Sequence, residues 1–439
     1  MADDAGIVMV SEAPAAADAD PPDAGPSVLR DCADAEAYVA SVCFKHGPPR
    51  LVGVELEWLL HRPPTPHLPP DVAALVAALG PHTPTTLDPS SPALPLPAGS
   101  DVTVEPGGQI ELASPPLPGL GGLLQAVRSD TDVLHRLLAA QGLQPQSRAA
   151  DPLRPPTRLL DVPRYRAMEQ VFDRVGPYGR SGMCSTASVQ VCLDAGEGAE
   201  VARRWAAVHA FGPVLLAAFA NSPLLHGRRT GWKSSRWACW MRADPRRTAP
   251  PPVADTACAD PAAAWARRVL TSPVLCVRRK GGAWQVPKCM TFADWIRGAL
   301  PEPPTTADLA YHVSTLFPPV RPHGHLEVRY VDAQPGRRWA LPVAVLTALL
   351  ADPAVTDRAR EACEPAEDRW VSGARHGLAD RVLARAAATV FELAGAQLAS
   401  LGTPAWVVAD LATMTEQVLR GRCPADEPDD PETPQGEPA

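Results

Sequence analysis

This sequence of 439 residues lacks several features that commonly announce a function. No apolar run approaches the roughly 20 residues of a membrane-spanning helix. The N-terminal segment has no basic stretch ahead of a hydrophobic one and is interrupted by Asp and Pro, so neither a span nor a secretory signal is expected, and the cytoplasm is the expected location. Ten cysteines are present but none forms a Cys-x-x-Cys pair; their spacing suggests neither a zinc knuckle nor a disulfide framework, and reduced, mostly buried thiols are expected. The glycine-rich turn of a dinucleotide fold and a Gly-x-x-x-x-Gly-Lys-Ser/Thr phosphate loop are both missing. Lys and Arg are absent from residues 1–27 and from 423–439, each of which holds six Asp or Glu. Both acidic, Pro-rich ends are expected to be disordered, leaving 28–422 as one folded domain. Setting those twelve carboxylates aside turns the formal charge of -8 into +4 for the middle of the chain. That balance suits a small anionic substrate and is too weak and dispersed for nucleic acid.

What is present is a chain with 46% apolar residues, enough for a large core, in which polar residues recur on one side of strand-like stretches. Strand side chains alternate between faces with a period of two. In Leu51–Leu60, Glu55 and Glu57 share one face, and Val54, Leu56 and Trp58 the other. In Val102–Ser114 a Pro106-Gly107-Gly108 turn follows Glu105 and precedes Gln109 and Glu111, which share a face opposite Ile110 and Leu112. Met183–Asp194 sets Thr186, Ser188 and Gln190 against Ala187, Val189, Val191 and Leu193; the polar row suits either a bound polar ligand or hydrogen bonding within the sheet. In His325–Asp332, His325, Glu327 and Arg329 face one way and Leu326, Val328 and Tyr330 the other. Carboxylates clustered inside a sheet are costly to desolvate, so they imply a compensating arginine, lysine or metal.

Helical periodicity covers Asp34–Phe44, Pro70–Leu79 (stopped by Gly80), Leu120–Gln141, Arg164–Arg174 and Glu200–Ala220. Thr291–Gly298 and most of Pro342–Leu419 also read as helix, with Thr403-Pro404 as an N-cap and first-turn proline. Lys280-Gly281-Gly282 predicts a hairpin between short strands near Val274 and Val286. The segment Gly227–Arg242 interleaves cations with tryptophans, Arg236 and Trp240 among them, and Asp244–Arg247 follows. Such a mixture can stack nucleic acid, but beside a nearly neutral remainder it suits guanidinium groups that hold carboxylate or phosphate.

These elements predict an α+β fold, an antiparallel sheet with one face lining a site. Glu55, Glu57, Glu105, Glu111 and Glu327 on that face would select a hard divalent ion such as Mg²⁺ or Mn²⁺. With Arg236, Arg247 and Arg329 nearby, the set suits a nucleoside triphosphate and phosphoryl transfer.

Gly53-Val-Glu-Leu-Glu57, Glu105-Pro-Gly-Gly-Gln-Ile-Glu111, the Val-Gln-Val-Cys-Leu-Asp end of the strand at Asp194, Ala220-Asn-Ser-Pro223 with Gly231 and Arg236, and Leu326-Glu-Val-Arg329 together resemble the glutamate-cysteine ligases of the plant and actinobacterial type. The resemblance runs in order from about Leu51 to Pro342, and the Met-Cys-Ser-Thr-Ala stretch is most like the actinobacterial enzymes of ergothioneine biosynthesis. It implies a glutamine-synthetase-like sheet forming a funnel, with a single catalytic domain over 28–422 and ATP as a substrate. It also implies Glu55, Glu57, Glu105, Glu111 and Glu327 as metal ligands, with Glu327 and Arg329 catalytic. Arg236, Thr186, Gln190 and Trp240 would bind the amino-acid substrates, L-glutamate and L-cysteine, and Gln109, Arg247 and Arg329 would contact ATP. The plant enzymes carry an arginine where this chain has Ser185, a departure that bears on glutamate binding. Ligation of glutamate to another amine, or a silent regulatory relative, are the alternatives.

Overall fold

The computed structural model describes residues 26–278 and 284–428. The turn expected at Lys280-Gly281-Gly282, and nearly all of the acidic N-terminal segment, lie outside the described residues. The arms of that turn do pair, Val277 N–H to Trp284 O and Val274 N–H to Met290 O, without forming a regular ladder.

Seven strands make one antiparallel sheet: β1 (Leu51–Trp58), β2 (Asp101–Val104), β3 (Ile110–Ala113), β4 (Leu117–Pro118), β5 (Ser188–Leu193), β6 (Val320–Pro322) and β7 (Leu326–Asp332). Their order is β6-β7-β5-β1-β3-β2, with β4 also on β1. Directly paired residues share a face, so the register itself sorts the side chains. Val54 pairs with Val191, and Val191 with Val328; Leu56 pairs with Leu112 and Val189. This apolar face is packed under helices. The other face carries Glu57 opposite Glu111, Glu111 opposite Thr103, Glu55 opposite Gln190, and Glu327 opposite both Cys192 and Arg321. An irregularity between Val328 and Val331 shifts the register of β7 on β5 and sets Asp332 opposite Ser188.

Several of the helices that position the site start at a polar side-chain cap. In chain order they are α1 (Cys32–Cys43), α2 (Val72–Leu79), α3 (Leu120–Ala140), α4 (Pro163–Asp173), α5 (Tyr178–Ser185), α6 (Ala199–Ala210), α7 (Gly212–Ala218), α8 (Ser235–Ala243), α9 (Ala340–Leu349), α10 (Arg381–Gln397) and α11 (Ala405–Leu419). Asp71 and Ser234 accept from Ala74 N–H and Trp237 N–H and so open α2 and α8. The single helix expected over Glu200–Ala220 is two, joined at Phe211 beside Pro213, whose missing N–H breaks the ladder. Met183–Ser185, expected in a strand, instead end α5, and regular pairing begins at Ser188. Thr403 makes no side-chain cap; Pro404 takes the N-cap position of α11.

Arg381–Leu401 is long and apolar enough by composition to cross a membrane, a property hidden from a search for unbroken apolar runs because Arg385 and Glu392 interrupt it. In the fold its Leu383, Ala387, Val390 and Phe391 are buried, and α10 packs on α7, α9 and α11. Residues 423–428, expected in the disordered tail, are packed against the domain, with Cys423 and Pro424 buried.

Candidate active site

The Pro106-Gly107-Gly108 turn joins the polar sheet face to α5. Gly108 N–H donates to Glu105 O (2.9 Å) and Glu105 N–H to Gln109 O (2.8 Å), closing the turn with Gly108 at φ +87°. A Cβ on Gly107 would lie 2.1 Å from Cys184 O, so only glycine lets the turn dock on α5. Gln109 fastens that contact: its Oε1 accepts from Gly107 N–H (3.0 Å), and its Nε2 donates to Thr186 O (2.9 Å) and Met183 O (3.3 Å). This leaves Gln109 as a clasp within the protein.

Around this turn Glu57, Glu105, Gln109, Thr186, Arg236, Trp240 and Arg329 border one cavity. Glu57 accepts from Ser188 N–H (2.8 Å) and Gln190 Nε2 (2.9 Å). Glu111 accepts from Thr103 Oγ1 at 2.6 Å. Glu55, Glu111, Gln190 and Glu327 lie beside the cavity on the same sheet face.

Glu327 is buried against two guanidinium groups. Arg321 reaches it through Nε (2.6 Å) and Nη2 (3.0 Å), and Arg329 through Nη1. Burial alone would raise its carboxyl; the two arginines outweigh that and hold it well below the usual carboxylate range. Both of its oxygens are thus committed.

Arg236 is 4% exposed. Its Nη2 donates to Arg329 O (2.8 Å), while Nη1 lies 3.7 Å from Asp332 Oδ1 and makes no hydrogen bond among the described residues. Burial lowers its pKa, against the opposing pull of Asp332 and Glu57. Asp332 is itself raised by burial although Arg236 and three hydrogen-bond donors favour its charged form. Arg236 thus borders the cavity with its guanidinium buried over Asp332 and one nitrogen short of a close hydrogen bond, and a guanidinium so placed is suited to a carboxylate.

A match to the family described as glutamate-cysteine ligase family 2 covers residues 51–437. The chain belongs to this family. It is 38% identical over 406 residues to the glutamate-cysteine ligase EgtA of Mycobacterium tuberculosis, covering 91% of this chain and 90% of that one. The EgtA enzyme of Mycolicibacterium smegmatis is also 38% identical, with 90% of each chain covered. The chloroplastic glutamate-cysteine ligase of Brassica juncea is 31% identical over 74% of this chain and 65% of its own. Among solved structures, a glutamate-cysteine ligase from Francisella tularensis in complex with AMP superposes with a TM-score of 0.50 at 13% identity, over 87% and 84% of the two chains, a likeness of fold. This chain is a ligase, and the family match reaches well past Pro342, through the C-terminal helices.

Three expected roles in the ligase do not fit the geometry, the first being Gln109 as an ATP contact, since its amide is spent on Gly107, Thr186 and Met183. Arg247 is fully enclosed and bonded to Asp244, Thr315 and Pro273 O, away from the cavity bordered by Arg236. Glu327 is an arginine partner here, and among the described residues no three His, Cys, Asp or Glu side chains converge as a ready metal-ligand set. The donors that fit a hard cation are Glu57 and Glu111, opposite each other on adjacent strands, with Glu55 on the same face. Cavity residues that were not anticipated include Phe317 and, on α4, Arg164, Tyr165 and Met168. Within that helix Arg164 and Met168 stand four residues apart and Tyr165 and Met168 three, and those spacings were the available signal. Arg321 and Asp332 also went unnoticed. The first is paired across a hairpin turn with Glu327; the second reaches the polar face through the register shift in β7.

Proposed function

We infer that the protein is an ATP-dependent glutamate-cysteine ligase that makes γ-glutamylcysteine, supplied to ergothioneine biosynthesis. In the first step the side-chain carboxylate of L-glutamate attacks the γ-phosphorus of ATP, and the bond to ADP breaks. In the second, the amine of L-cysteine attacks the resulting acyl phosphate; the C–N bond forms, phosphate leaves, and the amine gives up a proton. Glutamate binds with its α-carboxylate on Arg236, a buried guanidinium that borders the cavity, and its presence there in a chain of the glutamate-cysteine ligase family is the observation that carries the reading. Thr186 and Trp240 form walls of the amino-acid site, and Gln190 orients Glu57.

Arg329 lies at the cavity edge with Glu327 beneath it. It stabilises charge spread over the transferring phosphoryl oxygens, and Glu327 fixes its guanidinium and that of Arg321 in place. Glu55, Glu57, Glu105 and Glu111 are the residues that would hold a divalent ion, Mg²⁺ or Mn²⁺, which when bound offsets the repulsion between a carboxylate and a triphosphate. The funnel shape and glutamine-synthetase-like layout belong to the same reading and are supported by the antiparallel sheet with one polar face.

The test is product analysis by mass with ATP, glutamate and cysteine. One ADP and one phosphate are expected per γ-glutamylcysteine, with little product when cysteine is replaced by a polyamine. Turnover with a polyamine and none with cysteine would overturn the acceptor assignment. Glu57→Gln, close to isosteric, should lower turnover by about 100-fold or more if the carboxylate acts in the transition state.

A further inference from the structure

Asp332, beneath Arg236, is held by two loops. Its Oδ2 accepts from Asn221 N–H (2.8 Å) and Ser222 Oγ (2.7 Å), and its Oδ1 accepts from Ser234 Oγ (2.8 Å). Ser222 Oγ also accepts from Arg236 N–H at 3.2 Å. The loops at residues 220–222 and 233–234 therefore set both ends of the Arg236–Asp332 pair. They are joined to each other by Ser222 N–H to Lys233 O (3.0 Å).

Both loops are in turn gripped by the last described residues of the chain. Ala425 N–H donates to Ala220 O at 2.9 Å. Asp426 forms an ion pair with Lys233. Arg148, 5% exposed, bridges the two sides: its Nη1 donates to Asn221 Oδ1 and to Pro424 O, both at 2.9 Å, and its Nη2 donates to Glu427 O at 2.9 Å. Glu427 is anchored at its far end by Arg338 (2.6 Å). A buried guanidinium spent on main-chain carbonyls of a terminal segment is costly unless every bond is made. The segment is thus fixed in register, with its contacts concentrated on the loops that hold Asp332.

We propose that Cys423–Pro428 is a positioning strap for the glutamate-binding site, acting through Arg148, Asn221 and Lys233 on Asp332 and so on Arg236. The strap touches no substrate. It sets where the Arg236 guanidinium stands, and a displacement of about 1 Å in such a group can cost 100-fold in the reaction it serves. The proposal rests on the assignment of Arg236 to the glutamate carboxylate.

The experiment is steady-state kinetics on full-length variants, with each substrate varied in turn. Asp426→Asn together with Glu427→Gln removes both strap ion pairs at part-buried positions while keeping side-chain shape. Arg148→Met removes the bridge, Arg148→Lys keeps its charge, and a chain ending at Arg422 removes the strap. Each disabling change is expected to raise KM for glutamate roughly tenfold, the scale seen when a supporting group behind a ligand is lost, with kcat and KM for ATP close to the parent. Arg148→Lys should fall between. Loss of melting temperature alone, or a uniform fall in kcat with KM for glutamate unchanged, would overturn the proposal. If the shortened chain does not fold, the double variant carries the test. Arg236→Lys separates the two layers: an unchanged KM for glutamate in that variant defeats the assignment of Arg236, whereas a raised KM there with unaffected strap variants defeats only the strap.

Discussion

Arg236 and Arg247 lie eleven positions apart in the same Trp- and Arg-rich stretch, and both are almost wholly buried, at 4% and 0% exposure. Burial lowers both guanidinium pKa values, that of Arg247 to about 10 even with Asp244 beside it. Their hydrogen bonds differ. Arg247 donates from Nε to Asp244 (3.0 Å), from Nη1 to Thr315 Oγ1 (3.1 Å) and O (3.3 Å), and from Nη2 to Pro273 O. Arg236 borders the cavity, and its Nη1 lies 3.7 Å from Asp332 Oδ1 with no closer hydrogen bond among the described residues. Burial of a charge says only that something compensates it; unspent donors say where a ligand can join. Arg247 is a structural bolt, and Arg236 is the residue proposed to receive the substrate carboxylate.

The largest effect that would separate the two is on stability. Arg247→Met removes one half of a buried pair and leaves Asp244 and the carbonyls of Pro273 and Thr315 unanswered, a loss of about 3–5 kcal/mol. Urea unfolding should show it, while the surviving folded enzyme keeps its KM for glutamate. A rise in that KM at constant stability would return Arg247 to the site. Arg236→Lys should do the reverse. A lysine keeps the charge over Asp332 but cannot offer the planar two-nitrogen fork, so kcat/KM for glutamate is expected to fall about 100-fold with the unfolding midpoint little changed. If the two variants behaved alike, the distinction between spent and unspent donors would be worthless here.

The sequence made the sheet legible because its carboxylates fall at period two among apolar residues, and pairing in the register then puts Glu57, Glu111 and Gln190 on one face. The α helices were legible from their stripes to within a few residues. What escaped was what depends on register or on distant partners. The shift in β7 turns Asp332 toward Ser188, and no pattern of alternation predicts an irregularity of that kind. Met183–Ser185 alternate plausibly as strand yet close α5, because the turn at Gly107 must dock on Cys184 O. Arg247 and Arg236 look equivalent in sequence since their difference lies in Thr315, Pro273 and Asp332, which are far away in the chain. The strap residues 423–428 were assigned to an acidic tail by composition, whereas Arg148 and Lys233 supply the cations that composition could not locate.

The smallest separation concerns a histidine that feels Arg247. His312 is buried, bonds through Nε2 to Val269 O (2.9 Å), and stacks on Phe292 with ring centroids 5.1 Å apart. Burial, then the nearby Arg247 charge, push its pKa from an ordinary 6.5 to about 3, against the weaker favourable bond to Val269 O. The unfolded chain therefore takes up a proton near pH 6.5 and the folded chain does so only near pH 3. Stability from this site is complete above pH 6.5 and falls as pH drops toward the folded value, by about 2 kcal/mol between pH 7 and pH 5. His312→Gln, which can keep a donor to Val269 O and does not titrate, should lose that much less over the same interval in urea unfolding. Arg247→Met, by removing the repelling charge, should shrink the loss seen with His312 intact. Equal losses in the parent and His312→Gln would show that the imidazole protonates as readily in the folded protein as outside it, and that the Arg247 charge does not reach it.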